Sequence, residues 1–165
     1  MPELVLDPDY WRRRMETAPP SEPHHAIFKC PLDRWLRIEA KHRGILARVL
    51  KPSDSILDVG CGWGRLLTLL PPWYAGQYSG FDLAPTFIER ARGAYPNKIW
   101  HVRDARDLSD YFGLGYDYAV MISFRPMVKR NLGDETWDDI ESNVRRCAKK
   151  LLYLEYDETD EGSVE

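Results

Sequence analysis

The stretch Ile56-Leu57-Asp58-Val59-Gly60-Cys61-Gly62-Trp63-Gly64-Arg65-Leu66-Leu67 constrains the fold more than any other part of the chain. A short apolar run with strand character leads straight into three glycines at alternate positions, and a helical pattern begins at once. Glycines there permit positive φ and let main-chain N–H groups approach a ligand closely. They also let the helix pack tightly on its strand, whose carboxyl edge is where open α/β sheets bind their ligands. The helix start adds partial positive charge at the same place.

The rest of the chain repeats this alternation. Residues 55–59, 78–81, 99–102, 116–123 and 151–156 read as strands, and residues 65–70, 85–94 and 134–149 as helices. Pro85 suits a first helical turn, and Thr86-x-x-Glu89 has capping-box spacing. The nearly unbroken apolar character of residues 116–123 fits a strand covered on both faces. Strands alternating with helices of this length imply crossover units and a parallel sheet, so the expected class is α/β. Ahead of it, residues 1–17 read as a short amphipathic helix around Tyr10-Trp11-Arg12-Arg13-Arg14. Residues 18–31, with Pro19, Pro20, Pro23 and Pro31, read as an irregular connector. A further helix from Leu32 stops before Pro52. The expected division is a helical lid segment over residues 1–51, a ligand-binding domain over 52–157 and an acidic tail over 158–165.

Spacing narrows the ligand. The loop is G-x-G-x-G, not the G-x-G-x-x-G of dinucleotide binders or the G-x-x-x-x-G-K of phosphate-binding loops, and no Lys-Ser/Thr follows. Asp58, just before the glycines, would repel a pyrophosphate but suits an ammonium or sulfonium group. Asp82 ends the second strand 20 residues beyond Gly62, where a carboxylate can accept from both ribose hydroxyls. Asp104, beyond the third strand, is placed to accept from an exocyclic amine of a purine, or to pair with Arg103 or Arg106. A net charge of −3, divided as +3 over residues 1–51 and −6 over the remainder, argues against a nucleic-acid-coating protein. Cys30, Cys61 and Cys147 are widely spaced without a C-x-x-C pair, as in reduced cytoplasmic proteins, and no metal site is expected. The apolar runs fall far short of the roughly 18 residues a membrane span needs, and the first residues have no signal-peptide pattern.

Taken together, the strand tips resemble those of the class I (Rossmann-like) S-adenosylmethionine (SAM)-dependent methyltransferases. Ile56 to Leu67 is similar to that family's first motif. Gly80-Phe81-Asp82-Leu83-Ala84-Pro85, Val102-Arg103-Asp104-Ala105 and Tyr116-Asp117-Tyr118-Ala119-Val120 are similar to the segments that follow it. The resemblance implies strand order 3-2-1-4-5 with helices on both faces. It implies that Asp58, Gly60, Cys61, Gly62 and Trp63 surround the methionine part of SAM, that Asp82 binds its ribose, and that Leu83, Asp104 and Ala105 hold its adenine, with Ser123 nearby. Tyr10 and Trp11 are expected to close over the cofactor, with S-adenosylhomocysteine (SAH) as product.

Methyl transfer needs alignment of donor and acceptor more than covalent help from the protein. No catalytic side chain is therefore assigned, and the acceptor is expected to be a small molecule. Ser123-Phe124-Arg125-Pro126 lacks the Asp/Asn-Pro-Pro-aromatic motif of amino-methylating nucleic-acid enzymes. Phe124 is a candidate wall of the acceptor pocket, Arg125 a candidate holder of an anionic acceptor, and His24 and His25 are candidates to fold over the site. Two alternatives stand beside this: a non-catalytic SAM- or SAH-binding module of a larger assembly, and another SAM-using transferase, such as an aminopropyl-transferring enzyme. The chain is shortened after the fifth strand relative to the family's seven-stranded form. That leaves an expected bare edge, and a homodimer through it.

Overall fold

The computed structural model describes residues 7–18, 21, 23–156 and 163–164. Strands β1 (Ile56–Val59), β2 (Tyr78–Asp82), β3 (Ile99–Val102), β4 (Tyr116–Ile122) and β5 (Ala148–Leu154) form a parallel sheet in the order β3-β2-β1-β4-β5. This is the expected Rossmann-like arrangement. Helices α1 (Pro8–Thr17), α2 (Leu32–Val49), α3 (Arg65–Leu69), α4 (Pro85–Ala94), α5 (Phe124–Leu132) and α6 (Asp134–Arg145) surround it.

Alternation along the strands sends side chains to two cores. Leu57, Val59, Phe81, Ala119, Met121 and Tyr153 pack against Val128 of α5 and Trp137, Ile140 and Val144 of α6. Ile56, Tyr78, Tyr118, Val120 and Leu152 pack against Ile45 and Leu46 of α2, Leu66 of α3 and Ile88 of α4. Asp58 shares the second face, which takes a carboxylate into the interior beside Tyr78.

Four details depart from the sequence expectations. The edge of β5 is partly covered: Ser163–Val164 form β6, antiparallel to Leu152 and Tyr153. A strand that returns needs only a short connection. The observation that motivated a dimer through this edge is removed at these two positions. The acidic residues between Tyr156 and Ser163 lie outside the described residues.

Strand β5 begins at Ala148, ahead of the expected Leu151, and α6 ends at Arg145. Lys149 and Lys150 gave that stretch a helix-surface look. Lys149 instead ion-pairs with Asp117 at 2.7 Å, and Lys150 lies over the Tyr118 ring. Helix α5 occupies residues 124–132, a stretch with no element assigned from the sequence. It starts from Ser123, whose φ of 50° breaks the strand sharply. Pro126 occupies its first turn, where a missing N–H costs nothing. Finally, Ala84 caps α4 without a side-chain bond, so Thr86 and Glu89 form no capping box.

Candidate functional site

A cavity of about 750 Å³ opens at the carboxyl ends of β1, β2 and β4, within the roughly 300–1,000 Å³ typical of small-molecule sites. It brings together Tyr10, Trp11, Asp58, Gly60, Cys61, Gly62, Asp82, Leu83, Asp104, Ala105, Ser123 and Phe124. Most of the residues singled out from the sequence thus share one wall.

The glycine loop forms its floor. Gly60, Gly62 and Gly64 all have positive φ (68°, 54° and 85°), as the strand-to-helix turn requires. A Cβ on Gly60 would stand 2.6 Å from the Phe124 ring, so the main chain and the α5 wall close together here. The N–H of Cys61 donates to the Phe81 carbonyl at 2.9 Å, tying the loop to β2.

Asp82 clasps the two tips. One carboxylate oxygen accepts from the Gly62 N–H and the other from the Ala84 N–H, each at 2.9 Å. Each oxygen keeps a lone pair for a ligand hydroxyl. Desolvation raises the Asp82 pKa to about 6 against the pull of these N–H donors.

Asp58 lies beneath the loop, only 2% exposed, and accepts a short hydrogen bond from the Tyr78 hydroxyl. Burial lifts its pKa to about 7; the Tyr78 bond pulls it down and the Asp82 charge adds to the rise. A carboxyl whose folded pKa exceeds its unfolded value stabilises the fold at low pH and loses that contribution as pH rises through the folded value. Asp58→Asn, which keeps an acceptor for Tyr78, is therefore expected to raise the melting temperature at pH 8. The gap should close toward pH 5. Thermal unfolding at both pH values checks this, and an equal gap at both would contradict it.

Other residues fall elsewhere. Trp63 is not on the cavity wall; it packs edge-on to Phe87 and under the Arg90 guanidinium. His24 and His25 both reach the Cys30 carbonyl through Nε2, and His24 stacks on Trp35, away from the cavity. Arg125 turns to Glu155 at 3.4 Å and lies over the Tyr153 ring. Asp104 lines the cavity but is gripped by Arg106 at 2.6 Å, while Arg103 pairs with Asp110. Burial works against ionising Asp104, yet the Arg106 hydrogen bonds prevail and hold it below the usual carboxylate range.

Several wall residues escaped the sequence reading. Arg14 donates to the carbonyls of Ala26 (2.7 Å) and His25 (3.0 Å) and to the Tyr10 hydroxyl (3.1 Å). It fastens α1 to the connector and so holds Tyr10 and Trp11 over the cavity. Ile27, Phe28, Met127, Arg130, Asn131 and Tyr156 complete the far end. The i, i+3, i+4 spacing of Met127, Arg130 and Asn131 was the available signal, had residues 124–132 been read as a helix.

A family profile described as a methyltransferase domain matches residues 56–150. Trans-aconitate 2-methyltransferase of Escherichia coli is 38% identical over 65 residues, covering 38% of this chain and 26% of the relative. Malonyl-[acyl-carrier protein] O-methyltransferase of Anoxybacillus flavithermus is 34% identical over 62 residues, covering 36% and 24%. The chain thus spans about a quarter of the length of these curated relatives. Haemonchus contortus phosphoethanolamine N-methyltransferase 1, solved with phosphoethanolamine and SAH, shares the fold at a TM-score of 0.65 and 17% identity, over 88% of this chain and 30% of that one. The match to more than half of the sequence, on the sheet order and strand-tip site described above, defines the class. The chain belongs to the methyltransferase-domain family, the class I SAM-dependent methyltransferases.

The family's cofactor suits this site. Gly60 and Gly62 put bare main chain on the cavity wall, Asp82 keeps open lone pairs for hydroxyls, and Asp58 offers a carboxylate toward a cationic group.

Proposed function

We propose that this chain binds SAM in the cavity and transfers its methyl group to a small-molecule acceptor. The Asp82 clasp on Gly62 and Ala84 carries this reading, because it aims a carboxylate with spare lone pairs into a cavity floored by the glycine loop. The names of the matched relatives, trans-aconitate 2-methyltransferase and malonyl-[acyl-carrier protein] O-methyltransferase, support an acceptor built on a small acid. No helix among the described residues is long and apolar enough to cross a membrane. Three buried free cysteines suit a reducing compartment such as the cytoplasm.

SAM supplies a methyl group already activated on a sulfonium. The chain's own part is to hold and to exclude. Gly60, Cys61 and Gly62 cradle the methionine portion, Asp82 accepts from the ribose, and Leu83 and Ala105 pack on the adenine. Asp104 offers an acceptor to the adenine edge once Arg106 shares it. Tyr10, Trp11 and Arg14 cover the cavity and keep water from the reacting atoms.

Calorimetric titration with SAM, SAH, NAD and ATP tests the reading. SAM and SAH are expected to bind more tightly than either nucleotide with a pyrophosphate or triphosphate. Tighter binding of NAD than of both would overturn it.

A further inference from the structure

Four carboxylates and four arginines line the cavity, and their partners are unequal. Asp58 is met by Tyr78, Asp82 by two main-chain N–H groups, Asp104 by Arg106 and Glu155 by Arg125. Among the arginines, Arg14 is held by carbonyls, Arg65 by Glu39 and Tyr156, and Arg103 by Asp110. Arg130 lines the cavity from α5, and among the described residues no hydrogen bond or ion pair reaches it. Arg130 is therefore the cation of this lining left to meet an anionic ligand. It stands beside Asn131, with Met127, Phe124, Leu132 and Ile140 as apolar neighbours on the same wall.

The proton acceptors of the cavity are those four carboxylates, each already met by a partner of its own. No imidazole lines the cavity among the described residues: His24 and His25 bond to Cys30, His42 to the Glu155 carbonyl, and His101 to Tyr111. The Tyr156 hydroxyl accepts from Arg65, and burial raises its pKa. Burial likewise lifts the Cys61 thiol well above its ordinary range. Asp58 sits under the glycine loop on the cofactor side, tied to Tyr78. An amine, phenol or alcohol must lose a proton at or near the transfer step and needs a base within reach. A carboxylic acid, with an ordinary pKa of about 4, has already lost it at neutral pH.

We propose that the methyl acceptor is a small carboxylic acid, methylated on a carboxylate oxygen, and that Arg130 binds a carboxylate of it at the α5 wall. This rests on the methyltransferase reading above and names its substrate class. The carboxylate oxygen forms a bond to the methyl carbon as the carbon–sulfur bond breaks, and that bond's electron pair stays on sulfur. A carboxylate and a sulfonium become a neutral ester and a neutral thioether, and no proton moves. Arg130 is a binding residue, and no general base takes part.

Two measurements on the full chain test the proposal. In the first, trans-aconitate and malonate are titrated into SAH-saturated protein, with ethanolamine and catechol as comparisons. The acids are expected to bind and the others not. In the second, methyl-labelled SAM is turned over with each compound, and the product is treated with mild base. Label passed to an acid as an ester is released as methanol, whereas label on nitrogen or a phenolic oxygen is retained. Arg130→Gln is expected to raise KM for the acid at least tenfold and leave SAH affinity unchanged. Arg130→Lys should restore part of the loss. Arg130 also lies in the last turn of α5, where a cation favours the helix dipole. A role confined to that would shift the melting temperature of the Gln variant without moving KM, and would overturn the proposal. Transfer to the amine or phenol, or SAH binding without binding of either acid, would overturn it while leaving the methyltransferase reading intact. Failure of SAH itself to bind would remove both.

Discussion

Asp82→Ala is expected to weaken SAH binding by about 1–3 kcal/mol, the range for charge-assisted hydrogen bonds lost from a half-buried acceptor. The loss has two sources. The carboxylate no longer receives the ribose hydroxyls, and the Gly62 and Ala84 N–H groups lose the acceptor that orients the loop. Thermal stability at pH 8 should fall by less than two broken hydrogen bonds imply. The wild-type carboxyl, with its pKa raised to about 6, is ionised there in a desolvated place, and alanine removes that penalty. The same pKa sets a pH dependence in the wild type. Hydroxyl donors need the carboxylate, so SAH affinity should drop as pH falls through about 6. Titration calorimetry at pH 8 and pH 5, on wild type and variant, measures both effects. An unchanged dissociation constant in a folded Asp82→Ala protein would refute the role.

Gly64→Ala should cost the fold heavily. Gly64 caps α3 with φ of 85°, and a Cβ there would stand 2.7 Å from the Trp100 ring and 3.3 Å from Tyr95. Left-handed backbone costs roughly 1–2 kcal/mol for an L-residue, and forcing atoms into a packed core adds about 1–3 kcal/mol. The Trp100 indole has little freedom to retreat, since its Nε1–H donates to the Tyr95 carbonyl and its ring meets Tyr78. Gly113→Ala is the matched comparison: its φ is 76°, with nothing within 4 Å of the added Cβ. Chemical denaturation of the two variants separates backbone strain from crowding. Equal losses would show that the Trp100 contact is cheaply relieved.

The sheet was legible in the sequence because each strand is a short apolar run ending at a polar or glycine tip, and the glycine loop fixed which tip meets the ligand. Asp58, Asp82 and Ala105, read from those tips, all line the cavity. The far end of the cavity was legible as a pair of segments, residues 9–28 and 123–137, and not residue by residue. The second holds α5, whose start at a left-handed Ser123 followed by Pro126 has the local chemistry of a loop. Arg125 and Arg130 look alike as letters, and only the helix decides that one turns to Glu155 while the other lines the cavity. The latch at Arg14 was also invisible, because its partners are main-chain carbonyls 11 and 12 residues away, which no side-chain pattern reveals.

That latch has a kinetic consequence. Helix α1 buries none of its residues, so swinging it outward exposes almost no core. The resistance to opening comes from the Arg14 bonds to the connector carbonyls and the Trp11–Phe87 ring contact, with bonds to a charged group worth about 1.5–3 kcal/mol each. Such a segment opens as its own unit, far below the free energy of global unfolding. The dwell time of whatever fills the cavity is thereby uncoupled from the durability of the fold. Evolution can slow or quicken release by editing one arginine on a peripheral helix, and the two cores flanking the sheet need never register the change.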